Sequence, residues 1–124
     1  MASNKEQLEE ANVRKAPLFS ALDDASAASL RASMTPVKVS KGSTLFKEGD
    51  SGDRLYVVLD GKLKLGTAST DGRENLLSIL GPGDMFGELS LFDPGPRTST
   101  ATAVTDARLL SLAHDQVIGL ITQH

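Results

Sequence analysis

Glycine recurs at positions 42, 49, 52, 61, 66, 72, 81, 83, 87 and 95, cutting the middle of this chain into short segments. Just before these glycines the hydrophobic period changes to two, with Val37 and Val39 alternating with Lys38 and Ser40. Between the breaks lie strand-like runs at Thr44–Phe46, Leu55–Leu59, Lys62–Gly66, Glu74–Leu80, Thr98–Val104 and Arg108–Leu112. Many short strands separated by turn signals point to a sandwich or closed barrel. The absence of alternating strand and helix patterns argues against a parallel sheet. Asp60-Gly61, between two runs, predicts a β-hairpin with a type I′ turn, because that turn needs φ > 0 at both central residues.

Helical spacing is confined to the two ends. Residues 4–15 are polar, and Lys5–Glu9 and Glu10–Arg14 place opposite charges four apart, which supports a solvated helix ended by Pro17. Asp23 or Asp24 can cap a second helix carrying Ala27, Leu30 and Met34 on one stripe and closed by Pro36. His114–Gln123 returns to helical spacing, with Val117, Leu120 and Ile121 on one face. The expected architecture is therefore α+β and mainly β: an antiparallel β-barrel flanked by N- and C-terminal helices.

Composition narrows the function. A chain of 124 residues fits one domain, and a net charge of -3 with scattered basic residues excludes a nucleic-acid-binding face on this segment. Lys62 and Lys64 alternate with Leu63 and Leu65, as on the wet face of a strand. There is no cysteine, which removes disulfides, cysteine-ligated clusters and thiol chemistry. The N-terminus has no apolar signal-peptide core and no run approaches membrane-spanning length, so the expected compartment is the cytoplasm. A cupin-type enzyme or a haem sensor would need ligands on the barrel strands. Both histidines, His114 and His124, lie outside the barrel, so no metal site is expected. The neighbouring carboxylates Asp23-Asp24 and Glu9-Glu10 do not converge on a substrate as an acid/base pair would, and no catalytic residue is expected.

Binding chemistry concentrates in residues 83–99. Gly87 permits close backbone approach, and Leu89–Phe92 has the length of a single helical turn, whose free N–H groups would face an anion. Asp93-Pro94-Gly95-Pro96 is a rigid turn that brings Arg97 back toward that start. Arg97 offers a planar fork suited to phosphate, with Thr98 and Ser99 adding donors beside it. Glu88, acceptor-only, suits sugar hydroxyls. Together they would hold a sugar-phosphate. From spacing alone, Glu88 and Arg97 could equally close on one another as an internal ion pair.

The order Phe86-Gly87-Glu88-Leu89-Ser90 followed by Pro96-Arg97-Thr98 resembles the phosphate-binding cassette of cyclic-nucleotide-binding domains, and more narrowly that of the bacterial catabolite-activator (CRP/FNR) regulators. Lys41-Gly42, Leu45-Phe46, Glu48-Gly49, Gly52-Asp53, Leu55-Tyr56-Val57-Val58 and Gly61 match the same family at corresponding places. Asp71-Gly72-Arg73-Glu74-Asn75-Leu76-Leu77 and Phe92–Thr98 are most similar to the cyclic-AMP regulators of actinobacteria. The likeness covers roughly residues 17–124.

That resemblance implies a double-stranded β-helix, or jelly roll, and a sensor that reads a ligand without catalysing a reaction. It implies that Glu88 accepts the ribose 2′-hydroxyl, with backbone contacts from Gly87 and Leu89. Arg97 would pair with the cyclic phosphate, helped by Thr98 and by Ser99 or Ser90, while Phe86 and Leu77 would line the apolar wall near sugar and base. The implied ligand is cyclic AMP, with no other cofactor. Cyclic GMP stays open, because Thr98 could hydrogen-bond a guanine amino group. The implied division is an N-terminal helical extension at 1–16 and a sensor domain at 17–124. The long dimerisation helix and the winged helix-turn-helix of full-length regulators, which would supply homodimerisation and DNA contact, are absent from this sequence. No membrane partner is expected. The competing reading is a protein-interaction module of the same fold that has lost its ligand, against which stands the presence of both Glu88 and Arg97.

Overall fold

The computed structural model describes residues 4, 7, 11, 13, 16–20, 22–87 and 95–116. Residues 4, 7, 11 and 13 are helical, α1 spans Pro17–Ser20 and α2 spans Asp24–Ser33. Pro17 opens α1, where its missing N–H costs nothing. Asp23 is the cap of α2, its carboxylate accepting from the Ser26 N–H at 2.7 Å. Residues 114–116 are helical. The expected pairs Lys5–Glu9 and Glu10–Arg14 and the stripe Val117, Leu120 and Ile121 lie outside the described residues.

Among the described residues there are ten strands: β1 Thr35–Val39, β2 Thr44–Phe46, β3 Ser51–Gly52, β4 Arg54–Asp60, β5 Leu63–Ala68, β6 Glu74–Leu80, β7 Met85–Phe86, β8 Gly95–Pro96, β9 Thr100–Ala103 and β10 Ala107–Ala113. One sheet has the order β1-β10-β4-β7, the other β2-β9-β5-β6, and β3 pairs with β8. Every pairing is antiparallel. The first strand pairs with the last, the second with the second-last, and so on inward to β5 with β6. The barrel is thus one long hairpin, its tip at 69–73, folded up on itself as a jelly roll. Pro36 is tolerated inside β1 because β1 is an edge strand.

Asp60-Gly61 does not close a hairpin. β4 belongs to the first sheet and β5 to the second, so this turn carries the chain between sheets. Gly61 has φ +87, but no non-glycine residue among those described, Asp60 included, has positive φ, which excludes a type I′ turn. The glycine is needed for close approach: a Cβ there would lie 2.8 Å from the Ala107 Cα and closer still to the Asp106 carbonyl. The hairpin is at β5–β6, where Ser69 N–H donates to the Arg73 carbonyl at 2.8 Å.

Alternation along β4 and β10 feeds two cores. Leu55, Val57, Leu59, Leu110 and Leu112 face the helical layer of Val13, Ala16, Phe19, Ala27, Leu30 and Met34. Tyr56, Val58 and Leu109, with Val39 and Phe86 of the same sheet, pack with Leu63, Leu80, Ala101 and Ala103 of the other. The N-terminal segment is therefore not solvated throughout: Asn4, Gln7 and Ala11 are exposed, but Val13 and Ala16 are buried. Among the described residues no helix is long and apolar enough to cross a membrane.

Candidate functional site

Arg97 sits at one end of the inter-sheet core, just after β8, and only 7% of it is exposed. The Lys47–Asp50 turn grips its backbone from both sides. Arg97 N–H donates to the Asp50 carbonyl at 2.7 Å, and Gly49 N–H donates to the Arg97 carbonyl at 2.8 Å. That turn is closed by Lys47 N–H on the Asp50 carboxylate at 2.9 Å and anchored to β9 through Glu48 N–H on Thr100 Oγ1 at 2.9 Å.

The guanidinium is held from several directions. Its Cζ lies 4.2 Å from the centroid of the Phe46 ring and 5.7 Å from that of Tyr56, within reach of cation–π attraction. Nη2 donates to the Arg54 carbonyl at 3.0 Å. Gly52 and Gly87 form the remaining walls. A Cβ on Gly52 would lie 2.7 Å from Arg97 Cδ and 2.8 Å from Cζ. A Cβ on Gly87, whose φ is +80, would lie 2.8 Å from Nη1 and 2.8 Å from the Arg54 carbonyl. Burial pulls the Arg97 pKa below its ordinary value, and the nearby Tyr56 and Asp53 oppose this. A guanidinium nevertheless remains a cation in a protein. Burial likewise raises the Tyr56 phenol, against the lowering influence of Arg97 and Arg54.

The residues singled out from sequence fall into three groups. Gly87 and Arg97 come together here, followed in the chain by the exposed Thr98 and the buried Ser99. Phe86 is buried, its ring 5.3 Å from Tyr56 and 6.2 Å from Phe46, so it supports the aromatic floor beneath Arg97. Leu77 lies on β6 and is 60% exposed; the β5–β6 register jumps from Leu65↔Ser78 to Gly66↔Leu76, leaving Leu77 as the extra residue of a bulge. Glu88, Leu89 and Ser90, and the helical turn expected over Leu89–Phe92, lie outside the described residues.

Sequence reasoning missed Phe46, Gly52, Arg54 and Tyr56 as neighbours of Arg97. One signal was available: the chain has four phenylalanines and one tyrosine, and three of these scarce aromatics meet at this spot. Among the described residues no group of His, Cys, Asp or Glu could hold a metal ion. A buried guanidinium beside a glycine-permitted backbone approach is chemistry able to recognise an anion.

The described residues form a jelly roll that buries Arg97 against Gly52 and Gly87. The family model of the cyclic nucleotide-binding domain matches residues 36–124, and the chain belongs to that family. It is 50% identical over 101 residues to a CRP-like cAMP-activated global transcriptional regulator of Mycobacterium tuberculosis, a match covering 82% of this chain and 45% of the relative. It therefore spans less than half the length of that curated relative. Its fold is similar to the N-terminal domain of a transcriptional regulator from Streptomyces coelicolor, with TM-score 0.86, 55% identity, and coverage of 91% of this chain and 79% of the other. It is similar also to the regulatory domain of Toxoplasma gondii PKA crystallised with cAMP, with TM-score 0.82, 34% identity, and coverage of 97% and 46%.

Proposed function

We propose that this chain is a cyclic-AMP-binding sensor domain of a CRP-type transcriptional regulator, binding its ligand without catalysis in the cytoplasm. The observation that carries the reading is the Arg97 slot. A buried guanidinium can hold a phosphate by charge-assisted hydrogen bonds, and Gly52 and Gly87 leave the space that the guanidinium needs. In this reading Arg97 pairs with the cyclic phosphate, aided by Thr98, Ser99 and Ser90. Glu88 accepts the ribose 2′-hydroxyl, Gly87 and Leu89 supply backbone contacts, and Phe86 and Leu77 flank the sugar and base. The Mycobacterium relative is named for cAMP activation and the Toxoplasma domain was crystallised with cAMP, which favours cyclic AMP over cyclic GMP. In a longer regulator, ligand binding would shift a hinge equilibrium and so change DNA affinity, through a homodimer formed outside the residues present here.

Calorimetric titration of the chain with cyclic AMP and cyclic GMP tests this. Cyclic AMP is expected to bind more tightly, and Arg97→Ala to weaken binding by about 2–5 kcal/mol, as loss of a shielded charge contact does. Binding that ignores the substitution would place the ligand elsewhere. No saturable binding of either nucleotide would overturn the reading in favour of a protein-interaction module.

A further inference from the structure

We infer that Phe46 is a positioning residue for the anion site, presetting the Arg97 guanidinium before any ligand arrives; this rests on the function proposed above. Phe46 ends β2, and the register of β2 against β9 slips between Thr44↔Thr102 and Phe46↔Ala101. Two steps along β2 thus answer one step along β9, which is a bulge. In a regular strand Leu45 and Phe46 would face opposite ways. Here both pack against the inter-sheet core. The bulge therefore turns Phe46 inward, where its face meets the guanidinium at 4.2 Å.

The ring is in turn fixed by its neighbours. Tyr56 stacks on it at 6.0 Å and Phe86 lies 6.2 Å away. A cation held over an aromatic ring still has N–H groups that can point past the ring to hydrogen-bond partners. The Arg54 carbonyl accepts from one such group, at Nη2. Gly52 leaves the opposite wall open for the stem, since a Cβ there would overlap Nε and press on Cδ. Ring, carbonyl and glycine together leave the guanidinium little freedom, so its ordering is complete before binding and does not weaken it.

The test uses Phe46→Leu, which keeps apolar bulk and removes the π-face, and Phe46→Tyr, which restores it. Cyclic-AMP affinity is measured by calorimetry, and the mobility of the Arg97 side chain in the ligand-free protein by 15N relaxation at Nε. Phe46→Leu is expected to weaken binding roughly 2- to 10-fold, the cost of ordering one long side chain on binding, and to mobilise Nε. Phe46→Tyr is expected to restore both. Unchanged affinity in Phe46→Leu, or a loss of affinity with Nε still rigid, would overturn the inference. Gly52→Ala is the second variant, because it spares the ring and displaces only a side chain that can move aside. It is expected to keep the fold and mobilise or relocate Nε, and an Nε resonance identical to the parent's would equally overturn the inference. Should the parent protein fail to bind cyclic AMP, the function falls, while the ligand-free Nε measurement still decides whether Phe46 presets the arginine.

Discussion

Two strands of equal length and comparable apolar content meet opposite fates. β4, Arg-Leu-Tyr-Val-Val-Leu-Asp, buries every residue from Leu55 to Leu59, whereas β6, Glu-Asn-Leu-Leu-Ser-Ile-Leu, buries only Leu80. β4 lies between β10 and β7, with helices over one face and the second sheet over the other. β6 is the edge of its sheet, and Leu76, Leu77 and Ile79 stand exposed. Hydropathy selects the strand conformation in both; place in the sheet order decides burial. The two strands are accordingly held by different forces, β4 by packing on both faces and β6 by its turn and its pairing with β5.

Truncating side chains distinguishes the two strands. Leu55→Ala, at a site 1% exposed, is expected to cost about 2–5 kcal/mol in urea unfolding. Leu76→Ala should stay within about 0.5 kcal/mol. Equal losses would show that β6 is packed as firmly as β4. A smaller effect is expected at the turn feeding β6. Gly72 has φ +84 and open space where a Cβ would go, so Gly72→Ala strains the backbone alone, costing about 1 kcal/mol in the same assay.

The smallest effect is a pH dependence in that turn. The Ser69 hydroxyl, chiefly, and the Arg73 N–H at 3.2 Å hydrogen-bond the Asp71 carboxylate and hold its pKa below the ordinary 3.8. A depressed carboxylate stabilises the fold above its unfolded pKa and loses that contribution as pH falls through the folded value. Asp71→Asn should therefore flatten the acid limb of stability between about pH 5 and about pH 3 by slightly lowering the neutral plateau, leaving the stability at lower pH nearly unchanged. An acid limb as steep as the parent's would mean that the turn adds nothing to β6.

How much of this was legible varies with distance along the chain. Thr44–Phe46 and Glu74–Leu80 are readable to the residue because turn residues bound both. The two-residue strands β3, β7 and β8 are too short to carry any period. Asp60-Gly61 misleads because turn chemistry is local while the partner of β4 is chosen by burial on both faces. At the site, Gly87 and Arg97 stand close in sequence and declare their chemistry. Phe46, Gly52 and Arg54 reach Arg97 only through the barrel's closure, and nothing in their local sequence announces an arginine.

The mirror-image pairing of the strands also bears on how the chain finds its fold. The turn at 69–73 joins β5 to β6 with the shortest closure in the barrel, and each later pair encloses the one before it. Joining β1 to β10 from an open coil would mean closing almost the whole chain at once, a slow step for a topology rich in distant contacts. Zipping outward from the tip replaces that step with a series of short ones. Folding rate then resides in the turn and persistence of the native state in the outermost pair. In a chevron analysis Gly72→Ala should chiefly slow folding, while Val39→Ala, at the end of β1, should chiefly hasten unfolding. The reverse assignment would mean that the barrel assembles from its ends.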